Sequence, residues 1–371
     1  MSPSLPSLDR RALNRALLAR QWLLEPRTAT ALEAIEHLVG LQAQDVKAPY
    51  FQLVPRLAAY DPSELSSLLE SRAAVRIVLM RGTIHLVSAR DAHALRPLVQ
   101  PVITRATDGN HAVSADRAQL TRAGRQLVEA QPRTFAQLAE LLGPRFPDDD
   151  PPALAQQIRA RVPLVQVPPR GLWGRSGAPA HTSLEAWTDH HDAATVDDLV
   201  GRYLGAFGPA TVQDMQKWSG LTRLAEAFAR LRGDLVVFTD AETGKRELFD
   251  LPDAPRPAGA DADPRLDPIL VGPFDNLILS HADASRVLPQ EHRTKVMTQN
   301  GLIAGLVLID GVVAGNWRIK ATKKLAALTI ARFTTKPYTK RDTAQIVARA
   351  ERLLALAAPD ATRDVVFTPP G

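Results

Sequence analysis

The stretch 207-FGPATVQDMQKWSGLTRLAEAFARLRGDLVVFTDAETGKRELFDL-251 decides the reading of the fold. Gly208 and Pro209 break a preceding helix. Thr211, with Asp214 three residues on, reads as the N-cap of a helix that turns Val212, Met215 and Trp218 inward. "SGL" makes a tight turn, and 222-TRLAEAFARL-231 carries apolar residues at helical spacing. "DLVVFTD" and "KRELFDL" then alternate as two strands around a Glu-Thr-Gly turn. Helix, turn, helix and hairpin in that order spell a winged helix.

The same order recurs on either side. In 132-PRTFAQLAELLGPRFPDDDPPALAQQIRARVPLVQVPPRGLWG-174, Thr134 and Gln137 repeat the capping pattern, two helices follow, and "LVQV" with "GLWG" is expected to form the wing. The N-terminal third offers helices over "RRALNRALLARQWLL", "TALEAIEHLVGL", "YFQLVPRLAAY" and "DPSELSSLLESR", then strands in "AVRIVLM" and "GTIHLVSA". After about residue 263 the pattern changes to β-branched runs, with a hairpin signal at Asp310–Gly311 and a second, basic turn from Lys320 to Lys324. The expectation is an α+β chain: tandem winged-helix units at 1–108, 109–190 and 191–262, packed around a small antiparallel β-barrel at 263–340, closed by a helix and tail at 341–371.

Composition narrows the function. The 371 residues contain no cysteine, which excludes disulfides, thiolate nucleophiles, iron–sulfur clusters and Cys-bearing zinc sites. The nine histidines include no HExxH helix, and the adjacent His190 and His191 cannot share a helix face, so no metal or other cofactor is expected. Hydrophobic content of 45% is ordinary, and no run is long enough to span a bilayer. With no secretion signal visible, the expected location is cytoplasmic.

The net charge of +5 rests mainly on arginine, 36 against 9 lysines, a bias that GC-rich coding also produces. Its distribution says more. From Gly311 to Arg341 eight basic residues occur without an acid, among them Arg318, Lys320, Lys323 and Lys324. A one-signed stretch on a structured hairpin suits a polyanion; a solvated basic surface is the plain alternative.

Four motifs bring a family into view: 34-AIEHLVGLQAQD-45, 80-MRGTIHLVSARD-91, 273-PFDNLILSHADASRVL-288 and 307-VLIDGVVAGNWR-318. In this order, over nearly the whole chain, they resemble the AlkZ/YcaQ-like bacterial proteins, a family of winged-helix DNA glycosylases. The resemblance implies tandem winged helices around a small β-barrel and excision of alkylated purines, including bulky N7-alkylguanine adducts and, in some members, interstrand crosslinks. It also implies that Gln42-Ala43-Gln44 is the catalytic signature, in the form with Gln at its second polar position. Duplex DNA, damaged and read without strong sequence preference, is then the partner, and a monomer is expected because fused winged helices need no symmetric half-sites.

Glutamine neither titrates nor attacks carbon, yet it fits this chemistry. An N7-alkylated purine is already cationic and leaves with little protonation. What remains is to place a water and stabilise a positive sugar, and a glutamine carbonyl serves both. Residues two apart on an extended segment point the same way, so Gln42 and Gln44 are expected to hold one water. Bonding of loop backbone is the other role glutamines take at a helix end.

Asp45 is either a base or a helix-end residue. His85 either faces the site or is a hydrogen-bonded core histidine. Arg81 is a phosphate contact or a surface arginine, and Asp275 and Asn276 line the cleft or pin a turn. The basic turn with Arg318, Lys320, Lys323 and Lys324 is the element expected on DNA. No lysine is placed as a Schiff-base nucleophile, so hydrolysis without strand cleavage is expected. The rival reading is a non-catalytic winged-helix regulator, which needs a dimerisation element and a polar recognition helix; neither is evident.

Overall fold

The computed structural model describes residues 5–257, 264–297 and 301–369. After β1 (Ser7–Leu8) and α1 (Arg10–Arg20), a first segment holds α2 (Ala31–His37), β2 (Leu41–Gln42), α3 (Ala48–Leu53), α4 (Pro62–Glu70), β3 (Ala74–Val78) and β4 (Ile84–Ser88). The long α5 (Ala89–Asn110) leads to a second: α6 (Arg117–Ala130), α7 (Phe135–Leu142), α8 (Pro151–Arg161), β5 (Leu164–Gln166) and β6 (His181–Ser183). Past α9 (Leu184–Trp187), the third has α10 (Val196–Phe207), α11 (Val212–Ser219), α12 (Ala225–Leu231), β7 (Val236–Asp240) and β8 (Glu247–Asp250). The last part comprises β9 (Ile269–Val271), α13 (Arg293–Val296), β10 (Gly305–Ile309), β11 (Val312–Ala321), β12 (Leu325–Arg332), α14 (Lys340–Ala357) and β13 (Thr362–Thr368).

Local sequence starts the helices where threonine precedes an acid or amide by three. Thr30, Thr134, Thr195 and Thr211 each accept from the backbone three residues on, and Glu33, Gln137, Asp198 and Asp214 reach back. Each cap contributes about 1 kcal/mol. The three segments also share one pairing: the residue or strand ahead of the second helix bonds the last strand of the hairpin. Leu41 pairs with Leu86, Arg133 with His181 and Ala210 with Phe249.

Three sheets result, in the orders β1-β7-β8, β2-β4-β3-β5-β6 and β13-β12-β11-β10-β9. The second joins the first two segments through β3 and β5. The third corrects the expected barrel: it is open rather than closed, and mixed, because β13 lies parallel to β12. The expected tail is therefore partly a strand. The expected wing "GLWG" is also corrected. Residues 171–174 form turns, and the second hairpin strand is the polar His181–Ser183. "GLWG" instead docks on the first segment, where the Tyr50 hydroxyl donates to Gly171 O at 2.7 Å and Trp173 packs 4.8 Å from the Tyr50 ring. The boundary expected at 262–263 lies outside the described residues.

The largest core runs through the first and third segments and the β9–β10 region, with Leu17, Val75, Leu95, Tyr203, Trp218, Phe249 and Leu306 in one cluster. The second segment keeps a small core of its own around Leu120, Leu138, Leu154 and Ile158. The chain between α2 and α3 thus lies where the first segment, the third segment and the last sheet converge. Among the described residues no helix is long and apolar enough to cross a membrane.

Candidate active site around Gln42 and Gln44

The segment carrying both glutamines is set by a turn. After α2, Val39 has φ +54° and Gly40 φ +93°. A Cβ at Gly40 would lie 2.5 Å from Val87 Cγ1, so glycine is required for this approach. The turn delivers Leu41 and Gln42 opposite Leu86 and His85 of β4. Ala43 N–H continues the ladder to Ile84 O at 2.7 Å, and the Gln44 side-chain oxygen accepts from Ile84 N–H at 3.0 Å. Gln42 is buried and Gln44 exposed.

Gln42 is held from both ends. Its backbone oxygen accepts from Gln52 Nε2 at 3.0 Å, and Gln52 also donates to Pro273 O at 2.8 Å. Gly272 permits this closeness, because a Cβ there would meet Gln52 N at 2.7 Å. Its side-chain oxygen accepts from Arg81 Nη2 at 2.6 Å. Arg81 and the Ile84 N–H are donors only, so both glutamines turn their oxygens inward to the protein. Each oxygen keeps a second lone pair, and no partner for either amide nitrogen occurs among the described residues.

Arg81 is the hub. Besides Gln42, it donates to Trp218 O at 2.6 Å and to Asn276 Oδ1 at 3.1 Å. Residues distant in sequence thus meet on one guanidinium, and one of them supplies a carbonyl in the last turn of α11, where a cation is favoured. Arg81 reaches them from a left-handed conformation, φ +57°, a geometry that costs a non-glycine residue about 1–2 kcal/mol. It has no ion pair to any described carboxylate, and burial pulls its pKa down to about 10, which leaves it charged at neutral pH. The residue expected at a phosphate is committed to three protein acceptors.

The other expected residues separate. Asn276 joins the cluster, donating to Gly40 O at 3.4 Å. Asp275 is buried, capping the turn at Leu277 N and accepting both Arg56 Nη1 and Nη2 at 2.7 and 2.9 Å, so it pins the 273–278 segment to the turn that follows α3. His85 is fully buried; Nδ1 lies 3.0 Å from Thr83 O and Nε2 has no partner among the described residues. Burial, with Arg81 adding to it, drops its pKa to about 3, so the imidazole is neutral. Asp45 is exposed and accepts from Lys47 N–H at 2.7 Å within its own loop.

Asp45 also stands at one edge of a cleft of about 430 Å³, whose floor holds Phe51, Phe274 and Trp317 and whose rim carries Lys295 and Arg318. From that rim β11 runs to the basic turn. Arg318, Lys320, Lys323 and Lys324 are all exposed, and none forms an ion pair with a described residue. Trp317 is core: its Nε1 donates to Val271 O at 3.0 Å. Sequence reasoning missed Gln52, Arg56 and Arg76. The available signal was a polar residue inside the apolar run "YFQLVPRL" and an arginine inside "AVRIVLM", which marks a buried partner without saying where that partner is.

The model of the family "DNA glycosylase AlkZ-like" matches residues 35–356. The chain belongs to the AlkZ-like DNA glycosylase family. It is 27% identical over 329 residues, 81% of this chain and 85% of the relative, to the interstrand DNA cross-link repair glycosylase of Streptomyces sahachiroi. The solved structure of Streptomyces sahachiroi DNA glycosylase AlkZ superposes with a TM-score of 0.78 at 22% identity, over 98% of this chain and all of that one, and shows the shared α+β fold. The chain is therefore a DNA glycosylase, with DNA as its substrate.

Proposed function

We propose that this glycosylase hydrolyses the N-glycosidic bond of N7-alkylpurine nucleotides in duplex DNA, bulky and crosslinked adducts included, with Gln42 and Gln44 placing the water. The three repeated segments act as winged-helix units at 1–108, 109–190 and 191–262, and the protein works as a monomer. The observation that carries the reading is the Arg81 hub: a buried glutamine fixed in one rotamer, beside an exposed glutamine, with no carboxylate in the cluster. The relative's name, a cross-link repair glycosylase, supports the inclusion of crosslinked purines.

The chemistry fits those groups. As the C1′–N9 bond breaks, its electrons neutralise the cationic base, and positive charge grows on the sugar. A water held by the remaining lone pairs of the glutamine carbonyls adds to C1′ and gives its proton to solvent at the open rim. Among the described residues the Arg81 cluster holds no acid to protonate a neutral base, and Asp45 beside it is tied to Lys47 N–H in its own loop, so undamaged purines are spared. Arg81 acts as a positioning residue for Gln42, and the turn at 320–324 grips the DNA backbone with Arg318 beside it.

The test is a duplex carrying one N7-methylguanine, with abasic sites revealed by alkaline cleavage, run beside undamaged and N7-crosslinked duplexes. Excision from both alkylated duplexes, lost in the Gln42→Ala, Gln44→Ala double variant, is expected. Excision by the double variant at the wild-type rate moves the chemistry elsewhere, and tight binding without excision from either alkylated duplex contradicts the proposed substrate.

A further inference from the structure

A second group of arginines lies on the opposite face of the sheet from Gln42. In register, Arg76 of β3 pairs with Gln166 of β5, and Gln166 with His181 of β6, so their side chains share one face. Gln42, His85 and Ile77 form the neighbouring row and point the other way. Over the Arg76 row sit Arg159 of α8 and Phe135 of α7, the latter stacked on His181 with ring centres 4.4 Å apart. Together they line a small opening of about 30 Å³.

Its polar side chains are Arg76, Arg159, Gln166 and His181, with no carboxylate among them. Arg76 is 2% exposed and donates to Gln166 Oε1 at 3.0 Å and to Ala43 O at 2.8 Å, the carbonyl between the two glutamines. Arg159 is half-buried and makes no hydrogen bond or ion pair with a described residue. His181 Nδ1 is buried with no partner among the described residues, and so, outside the lining of the opening, is Nε of Arg170, which donates to Gly177 O at 3.1 Å. None of these arginines has an ion pair to a described carboxylate; Arg170 repels Arg76, and Asp45 attracts it more weakly without bonding it. Elsewhere in this chain the fully buried Arg20 and Arg56 each carry a bidentate carboxylate. Unneutralised buried cations are costly unless an anion completes them.

We propose that this opening is an oxyanion site that takes one phosphate oxygen of the DNA strand bearing the lesion, with Arg159 as its principal contact. The choice of strand rests on the glycosylase reading above; the anion chemistry does not. The volume admits a single oxygen rather than a whole phosphate, so the phosphorus stays at the mouth and the strand runs over α8. Because Arg76 also holds Ala43 O, an anchored phosphate sets the strand relative to the two glutamines.

Two measurements test it, on wild type, Arg159→Gln and Arg159→Lys. Arg159 makes no hydrogen bond or ion pair with a described residue that its loss would break, so the glutamine variant is expected to fold. First, Tm is followed against inorganic phosphate at constant ionic strength set with chloride. A saturable rise is expected in wild type, absent in Arg159→Gln and partly kept in Arg159→Lys. No rise in wild type, or an equal rise in Arg159→Gln, overturns the site. Second, duplex Kd is measured against salt, where loss of one phosphate contact lowers the slope of log K on log salt by about 0.9. A phosphate response lost with the slope unchanged overturns the assignment to the strand. Excision by the same wild-type sample is scored separately, so a failed glycosylase reading leaves the phosphate result to judge the pocket on its own.

Discussion

Arg20 and Arg81 are both held inside this protein, and they are treated in opposite ways. Arg20 faces Asp250 with two bonds of 2.7 Å, both side chains fully buried, and ties α1 to β8. Arg56 and Asp275 do the same between the turn after α3 and the 273–278 segment. Arg81 meets only neutral oxygens, those of Gln42, Asn276 and Trp218. In these two pairs, which lock elements, the charge is cancelled on the spot. Beside Gln42 the charge is kept, its geometry fixed by neutral acceptors, and the nearest carboxylate in sequence, Asp45, bonds Lys47 N–H in its own loop and not Arg81. Neutral acceptors also serve the framework, since buried Arg96 is held by oxygens of Gln100 and Ala160; what distinguishes Arg81 is that one of its acceptors is Gln42.

The largest effect tests the framework. Asp250→Ala leaves Arg20 buried and unpaired, and chemical denaturation is expected to show a loss of about 3–5 kcal/mol. A loss below about 1 kcal/mol breaks the contrast on its framework side. Next is acid. His85 and His281 are buried neutral, with pKa values lowered from 6.5 to about 3, chiefly by burial. Above pH 6.5 neither state binds the proton. As pH falls from 6.5 towards 3 the unfolded chain takes it up and the folded one does not, so stability is lost, by about 2 kcal/mol per imidazole at pH 5. Stability falling between pH 6.5 and 5, less steeply in His85→Gln, is the expected titration.

Arg81→Lys sharpens the site side. A lysine keeps the charge but cannot span the three acceptors, and losing one charge-assisted bond lowers excision roughly tenfold while duplex Kd stays put. A matching loss of affinity would instead make Arg81 a DNA contact. The smallest effect belongs to the exposed turn. Lys323→Gln with Lys324→Gln is expected to leave Tm unchanged and to reduce the salt slope of duplex binding by about 1.8.

The elements legible in the sequence were those specified locally. The third segment is written in its capping box, its Ser-Gly turn and its alternating strands, and α11, α12, β7 and β8 fall within it as expected. β6 was not legible, because three polar residues, His181 to Ser183, have no apolar alternation and become a strand only by pairing with β5. "GLWG" misled for the complementary reason: Trp173 is apolar to pack on Tyr50 and Phe51, not to line a wing. The open sheet escaped notice because β13 pairs in parallel with β12 across α14, a register no local pattern encodes. In the site, the quoted motifs contain Gln42, Arg81 and Asn276. That Arg81 joins Gln42 to Asn276, and to Trp218, is a contact over as many as 195 positions and belongs to the tertiary fold alone.

The central claim is that Gln42, positioned by Arg81, serves the reaction rather than the fold. The direct measurement is the single-turnover rate of N7-methylguanine excision by Gln42→Ala, with duplex Kd and Tm taken on the same samples. The account predicts a rate lowered by about 10²-fold, the scale of losing one preorganised polar group at a transition state, with Kd unchanged and the protein folded. Excision at the wild-type rate by a folded Gln42→Ala protein would contradict it.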